Sequence, residues 1–108
     1  MTTDLKSVRI RGEINENDKK RRLVYVNEQL LNVERSFEIK QFSKEMDWGF
    51  GGSPAFQLAF AICLEVYGDK GKAIGGYIKF KDRYVSVWRF GQPFSVTVDF
   101  TQFIHQTV

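Results

Sequence analysis

The sequence predicts an α+β fold: a small antiparallel sheet packed on a buried central helix, with a second amphipathic helix beside it. Three observations predict it. Residues 54–67 carry only Gln57 and Glu65 as clearly polar side chains, and a helix apolar on every side is normally buried on every side. Segments near both ends, SVRIRGEI and FSVTVDF, alternate apolar and polar residues, which is the period of a half-buried strand. The order of these elements is strands, helix, helix, strand, with no repeating βα unit.

The chain of 108 residues suits one domain over residues 1–108. A hydrophobic fraction of 43% and a charged fraction of 27% are those of an ordinary globular protein. Ten Phe, four Tyr and two Trp supply the bulk of a core. One cysteine, Cys63, cannot form an intramolecular disulfide. The N-terminal MTTDLKSVRIRGE lacks the apolar stretch of a signal peptide, and no apolar run approaches the roughly 20 residues that span a bilayer. The expected setting is cytoplasmic, without membrane association. A net charge of +3 permits weak attraction to nucleic acid without requiring it.

Taken in order, residues 1–6 are expected to fray. Val8 and Ile10 alternate with Arg9 and Arg11 in a first strand. Residues 15–22, NENDKKRR, are polar and rich in turn formers, so they read as a hairpin loop. LVYV, residues 23–26, is a second strand, antiparallel to the first, and Asn27-Glu28 turns the chain. In RSFEIKQFS, Phe37, Ile39 and Phe42 make either a short third strand or an irregular apolar edge. Ser53 has the chemistry of an N-cap with Pro54 at the first helical position, and Gly68 ends the helix.

The second helix is read over GKAIGGYIKFKDRYVSVW. At about 100° per residue, Ile74, Tyr77, Ile78, Tyr84, Val85 and Trp88 share one side, and Lys72, Lys79 and Arg83 share the other. Two features oppose it. Gly75-Gly76 costs roughly 1 kcal/mol per glycine against Ala, and Lys81 falls in the apolar arc. YVSVW alone also reads as a strand. RFGQP is a loop, FSVTVDF a strand, and TQFIHQ a last helical turn capped by Asp99 or Thr101.

The stretch DWGFGGSPAFQLAFAICLEVYG resembles the core motif of an uncharacterised, DUF-type family of small domains: Trp-Gly-(Tyr/Phe)-Gly-Gly-Ser, then Gln-Leu-Ala opening an apolar helix. Trp48, Gly49, Phe50, Gly51, Gly52 and Ser53 match the first part, and Gln57, Leu58 and Ala59 the second. Arg11-Gly12, Val24 to Val26, Tyr77, Phe80, Lys81 and Ser95 to Thr97 agree more loosely. The usual Gly-Pro-Ala step after the serine is Pro54-Ala55-Phe56 here, which implies a smaller space in front of the helix. The resemblance implies a phage, plasmid or other mobile-element setting and no assigned activity.

The candidate ligand-binding residues are Trp48, Gly51, Gly52, Ser53 and Gln57. A glycine-rich turn at a helix N-terminus offers N–H groups to an anion, but the lysine and spacing of a P-loop are missing. The simpler reading is a tight entry of the chain into its core helix. A buried Gln57 needs partners, most simply backbone groups of the preceding loop. Lys19, Lys20, Arg21 and Arg22, with Lys72, Lys79 and Arg83, are the candidate basic patch for nucleic acid, with Tyr25 or Tyr84 available to stack on bases. Cys63 inside an apolar helix reads as core. One His, His105, and one Cys make no zinc site. No catalytic constellation, cofactor or metal is expected. The leading expectation is a non-enzymatic protein–protein interaction role in a monomer or small homo-oligomer. The alternatives are a nucleic-acid-binding accessory and an anion-binding module at Gly51–Ser53.

Overall fold

The structure is a computed structural model and describes residues 5–15, 17 and 22–103. It has the expected α+β architecture. Strands β1 (Val8–Ile14), β2 (Arg22–Val26), β3 (Gln29–Leu30) and β4 (Phe94–Val98) form one sheet in the order β3-β2-β1-β4. All pairings are antiparallel, with Ile10 opposite both Val26 and Val96. β1 therefore pairs with its successor on one side and with the last strand on the other. Val8, Ile10, Val24, Val26 and Val98 form the buried face. The β2–β3 turn is Asn27-Glu28, both at positive φ (49° and 67°), as a two-residue type I′ hairpin requires.

Gly12 lies opposite Phe94. A Cβ at Gly12 would fall 2.2 Å from the Phe94 ring. The missing side chain thus lets that ring lie over β1, edge-on to Trp48 (4.8 Å) and stacked on Trp88 (3.9 Å).

Helix α2 (Ser53–Tyr67) crosses this core, with Ala55, every residue from Gln57 to Leu64, and Val66 buried. Gly68, at φ 64°, ends it, and its N–H donates to the Leu64 carbonyl. The N-cap is Gly52 rather than Ser53. Its carbonyl accepts from Ala55 and Phe56, and the Ser53 hydroxyl makes no capping bond.

The segment read as a strand or irregular edge is instead a short helix, α1 (Glu34–Ile39), and the third strand is Gln29–Leu30. Asn32 Oδ1 accepts from Glu34 N at 3.1 Å and starts the turn. Two alternating apolar residues were too short a pattern to distinguish strand from helix.

Helix α3 (Lys70–Phe80) begins at Asp69, whose carboxylate accepts from Lys72 N, and the helical path runs on past Phe80 towards Trp88, whose N–H donates to Tyr84 O. A single π-helical turn, Lys81–Val85, follows, with Ser86 N donating to Lys81 O. The buried face agrees with the expected one at Tyr77, Val85 and Trp88 and differs at the isoleucines. Ala73, Tyr77 and Phe80 face the core, while Ile74 and Ile78 stand about half exposed (49% and 50%). Gly76 is responsible. A Cβ there would meet the Phe103 carbonyl oxygen at 3.0 Å, so the glycine turns inward against the 3-10 turn Phe100–Phe103, and the isoleucines rotate outward. Lys81 is buried as its place in the apolar arc implied. Its ammonium lies 4.0 Å from the Phe56 ring centre and pairs with Asp82 at 2.7 Å.

Asp99 caps the 3-10 turn through Thr101, as expected, and the hydrogen bonds from the Thr101 hydroxyl and backbone N–H hold its carboxyl below the usual range. Leu5 is not frayed. Its carbonyl accepts from Phe100 N at 2.7 Å and its side chain packs on the core.

Candidate functional site

The loop from Asp47 to Gly52 is built around Trp48, which is fully buried. Its indole N–H donates to the carbonyls of Arg89 (3.1 Å) and Gln92 (2.9 Å), so a residue before α2 holds the turn that precedes β4. Gly49, at φ 89°, donates its N–H to Val85 O at 2.8 Å. A Cβ there would fall 2.4 Å from Phe90 N. Gly49 is therefore the position at which this turn requires glycine, through both its φ and the close backbone approach.

Asp47 Oδ1 accepts from Trp48 N and from the Arg22 side chain at 3.1 Å. Arg22 begins β2 rather than ending the loop, and its guanidinium sits 5.7 Å from the Trp48 ring centre. Lys19, Lys20 and Arg21, the rest of that basic cluster, lie outside the described residues, as does His105.

What this anchored loop presents outward is apolar. Phe50 packs edge-on against Phe90 at 5.7 Å, and Phe90 remains 62% exposed. The segment just before it carries Val87, 68% exposed. Gly51 and Ser53 beside them are exposed, with open space where a Gly51 Cβ would stand. Sequence reasoning singled out the glycines and passed over Phe90 and Val87. Their only local signal was apolar bulk, at Val87 in YVSVW and at Phe90 in the loop RFGQP.

Gln57 is fully buried and spends its hydrogen-bonding capacity inside the protein. Its carbonyl accepts from Phe42 N (2.6 Å) and Ser43 N (3.3 Å). Its amide donates to Ser36 Oγ (2.8 Å) and Lys40 O (3.2 Å). The expected contact with the preceding loop is present, and it extends to α1. Gln57 shapes the chain between α1 and α2.

Lys72, Lys79 and Arg83 are all exposed, at helical spacings of seven and four, so they form one row along α3 and the π-turn. Arg83 donates to Gln102 Oε1 at 2.8 Å. Tyr84, considered for stacking, is only half exposed and packs on Phe80 and Phe103. Tyr25 lies beneath the Arg11 guanidinium at 4.1 Å, and Arg11 also pairs with Glu13 and Glu28. Cys63 is buried in α2, and burial pushes its thiol pKa up, so the nucleophilic thiolate is disfavoured. Among the described residues no group of three His, Cys, Asp or Glu side chains is placed to hold a metal ion. Nor is any described helix long and apolar enough to cross a membrane.

A model for a family of unknown function (DUF6166) matches residues 11–106, a span that takes in the Trp48–Ser53 loop. No curated protein and no solved structure matches the chain.

Proposed function

We propose that this chain, which belongs to the DUF6166 family of unknown function, is a non-enzymatic interaction protein that docks a protein partner in the cytoplasm. The observation that carries this reading is the exposed Phe90, packed on the half-buried Phe50, with the exposed Val87 just before it in the chain. Exposed large apolar side chains grouped on one surface mark interaction sites when they are not scattered singly. Here they stand on a loop held by Trp48 and Gly49, so little ordering entropy is lost on binding. The mobile-element setting implied by the motif resemblance belongs to this reading, with the partner encoded by the element or its host.

The test is a tagged pull-down from the native host, treated with nuclease, comparing the wild type with a Val87→Asp, Phe90→Asp variant. Both positions are exposed, so the variant is expected to keep its circular dichroism spectrum and lose the partner. A folded variant that retains the same partner would overturn this reading.

A second reading, nucleic-acid binding, is favoured by the exposed row of Lys72, Lys79 and Arg83. It requires binding that weakens steeply with salt and disappears in Lys72→Glu, Lys79→Glu. Salt-insensitive binding, or binding that survives both substitutions, would remove it.

A further inference from the structure

A cavity of about 160 Å³ lies between the end of α1 and the exposed side of α3, lined by Ile39, Lys40, Phe60, Ile74 and Tyr77. It is separate from the Phe50–Phe90 surface in its lining residues. Three of the five contribute only hydrocarbon. The two polar ones are the point of interest. Tyr77 is 7% exposed, its ring packed against Phe42, Phe56 and Phe60 at 5.5, 6.3 and 5.3 Å. Among the described residues its hydroxyl makes no hydrogen bond. It is not sealed in either, since Ser86 Oγ is the buried side-chain atom without a partner among the described residues. The hydroxyl therefore reaches accessible space. Tyr67 shows the ordinary solution for such a ring, donating to Phe100 O at 2.6 Å.

Lys40 is exposed, with its ammonium 5.0 Å from the Phe42 ring centre. No carboxylate pairs with it among the described residues. Its carbonyl is already taken by Gln57. The side chains of the lining residues thus include a phenol donor and an ammonium donor and no carboxylate or amide acceptor. A cation would be repelled, and a ligand bearing only donors would find no match. The volume is close to the roughly 150 Å³ of an apolar cavity that accepts benzene, and well below that of a drug-sized site.

We propose that this cavity binds a small apolar carboxylate of about one ring in size. Its body lies against Ile39, Phe60 and Ile74, and its carboxylate accepts from the Tyr77 hydroxyl beside the Lys40 ammonium.

The experiment is a 1H–15N NMR titration of the full chain with phenylacetate, with phenylacetamide as the uncharged match and acetate as the bodiless one. Phenylacetate is expected to give saturable shifts centred on Lys40, Ile74 and Tyr77. The dissociation constant should be low-millimolar, as the usual affinity per non-hydrogen atom gives a ligand of this size. Phenylacetamide should bind at least about fivefold more weakly and acetate should cause no saturable change. Tyr77→Phe and Lys40→Met, each checked for an unchanged fold, should each weaken phenylacetate by about fivefold, the scale of one hydrogen bond or ion pair. Non-saturating shifts, shifts centred elsewhere, or equal binding of the acid and the amide would each overturn the proposal. So would folded variants that bind as the wild type does.

Discussion

Gln57 and Tyr77 both carry a polar group into the aromatic packing around α2, and they treat it in opposite ways. Gln57 makes four hydrogen bonds to residues of α1 and the chain just after it. Tyr77 packs on three aromatic rings and leaves its hydroxyl without a hydrogen-bond partner among the described residues. A buried polar group with all its partners specifies a structure, because removing it leaves several groups unmatched at once. One without partners adds little to stability and is available to something else. The contrast separates what builds this molecule from what it can offer to a ligand.

The hardest blow to that contrast would be an insensitive Gln57. Gln57→Leu strands the Phe42 and Ser43 amides and the Lys40 carbonyl and leaves the Ser36 hydroxyl only its bond to Val33 O, so a loss of about 3 kcal/mol or more is expected in urea unfolding. A loss below about 1 kcal/mol would mean that water replaces the amide and that this knot does not set the path of the chain.

A second, smaller effect separates the glycines of the Trp48–Ser53 loop. Gly49→Ala places a side chain at positive φ and against the Phe90 backbone, and should cost about 2–3 kcal/mol. Gly51→Ala meets open space and should change stability by no more than about 0.5 kcal/mol. Equal costs would show that the loop's shape does not come from its seat on residues 85–92.

The smallest expected effect is the sharpest. Tyr77→Phe should shift the unfolding free energy by no more than about 0.5 kcal/mol, because the ring contacts remain and no protein hydrogen bond is lost. A larger loss would mean that the hydroxyl does structural work in solution, which would remove the main support for a ligand there.

Much of the fold was legible in the sequence. Helix α2 announced itself because its residues are apolar on all sides between Pro54 and Gly68. Strands β1, β2 and β4 showed their alternation, and Asn27-Glu28 its turn. The short α1 did not show itself. Its six residues hold too little periodicity, and Ser36 in it is held by a side chain 21 positions away. The inward face of α3 was misread because the helical wheel weighs side chains by apolarity. At Gly76 the absence of a side chain lets Phe103 approach. The candidate sites were less visible still. Phe50 meets Phe90 across forty positions, and the cavity draws its lining from three separate helices or helix ends.

What the sequence determined by itself was therefore the class of fold, the buried helix and most of the strands. These follow from forces acting within a few residues: side-chain period, backbone freedom at glycine, and the fixed φ of proline. Tertiary structure alone decided which polar groups found partners, which isoleucines turned outward, and which aromatic rings the Trp48 loop left in view. Those outcomes depend on atoms brought together from distant parts of the chain, where four hydrogen bonds satisfy Gln57 and ring packing leaves the Tyr77 hydroxyl unpaired among the described residues.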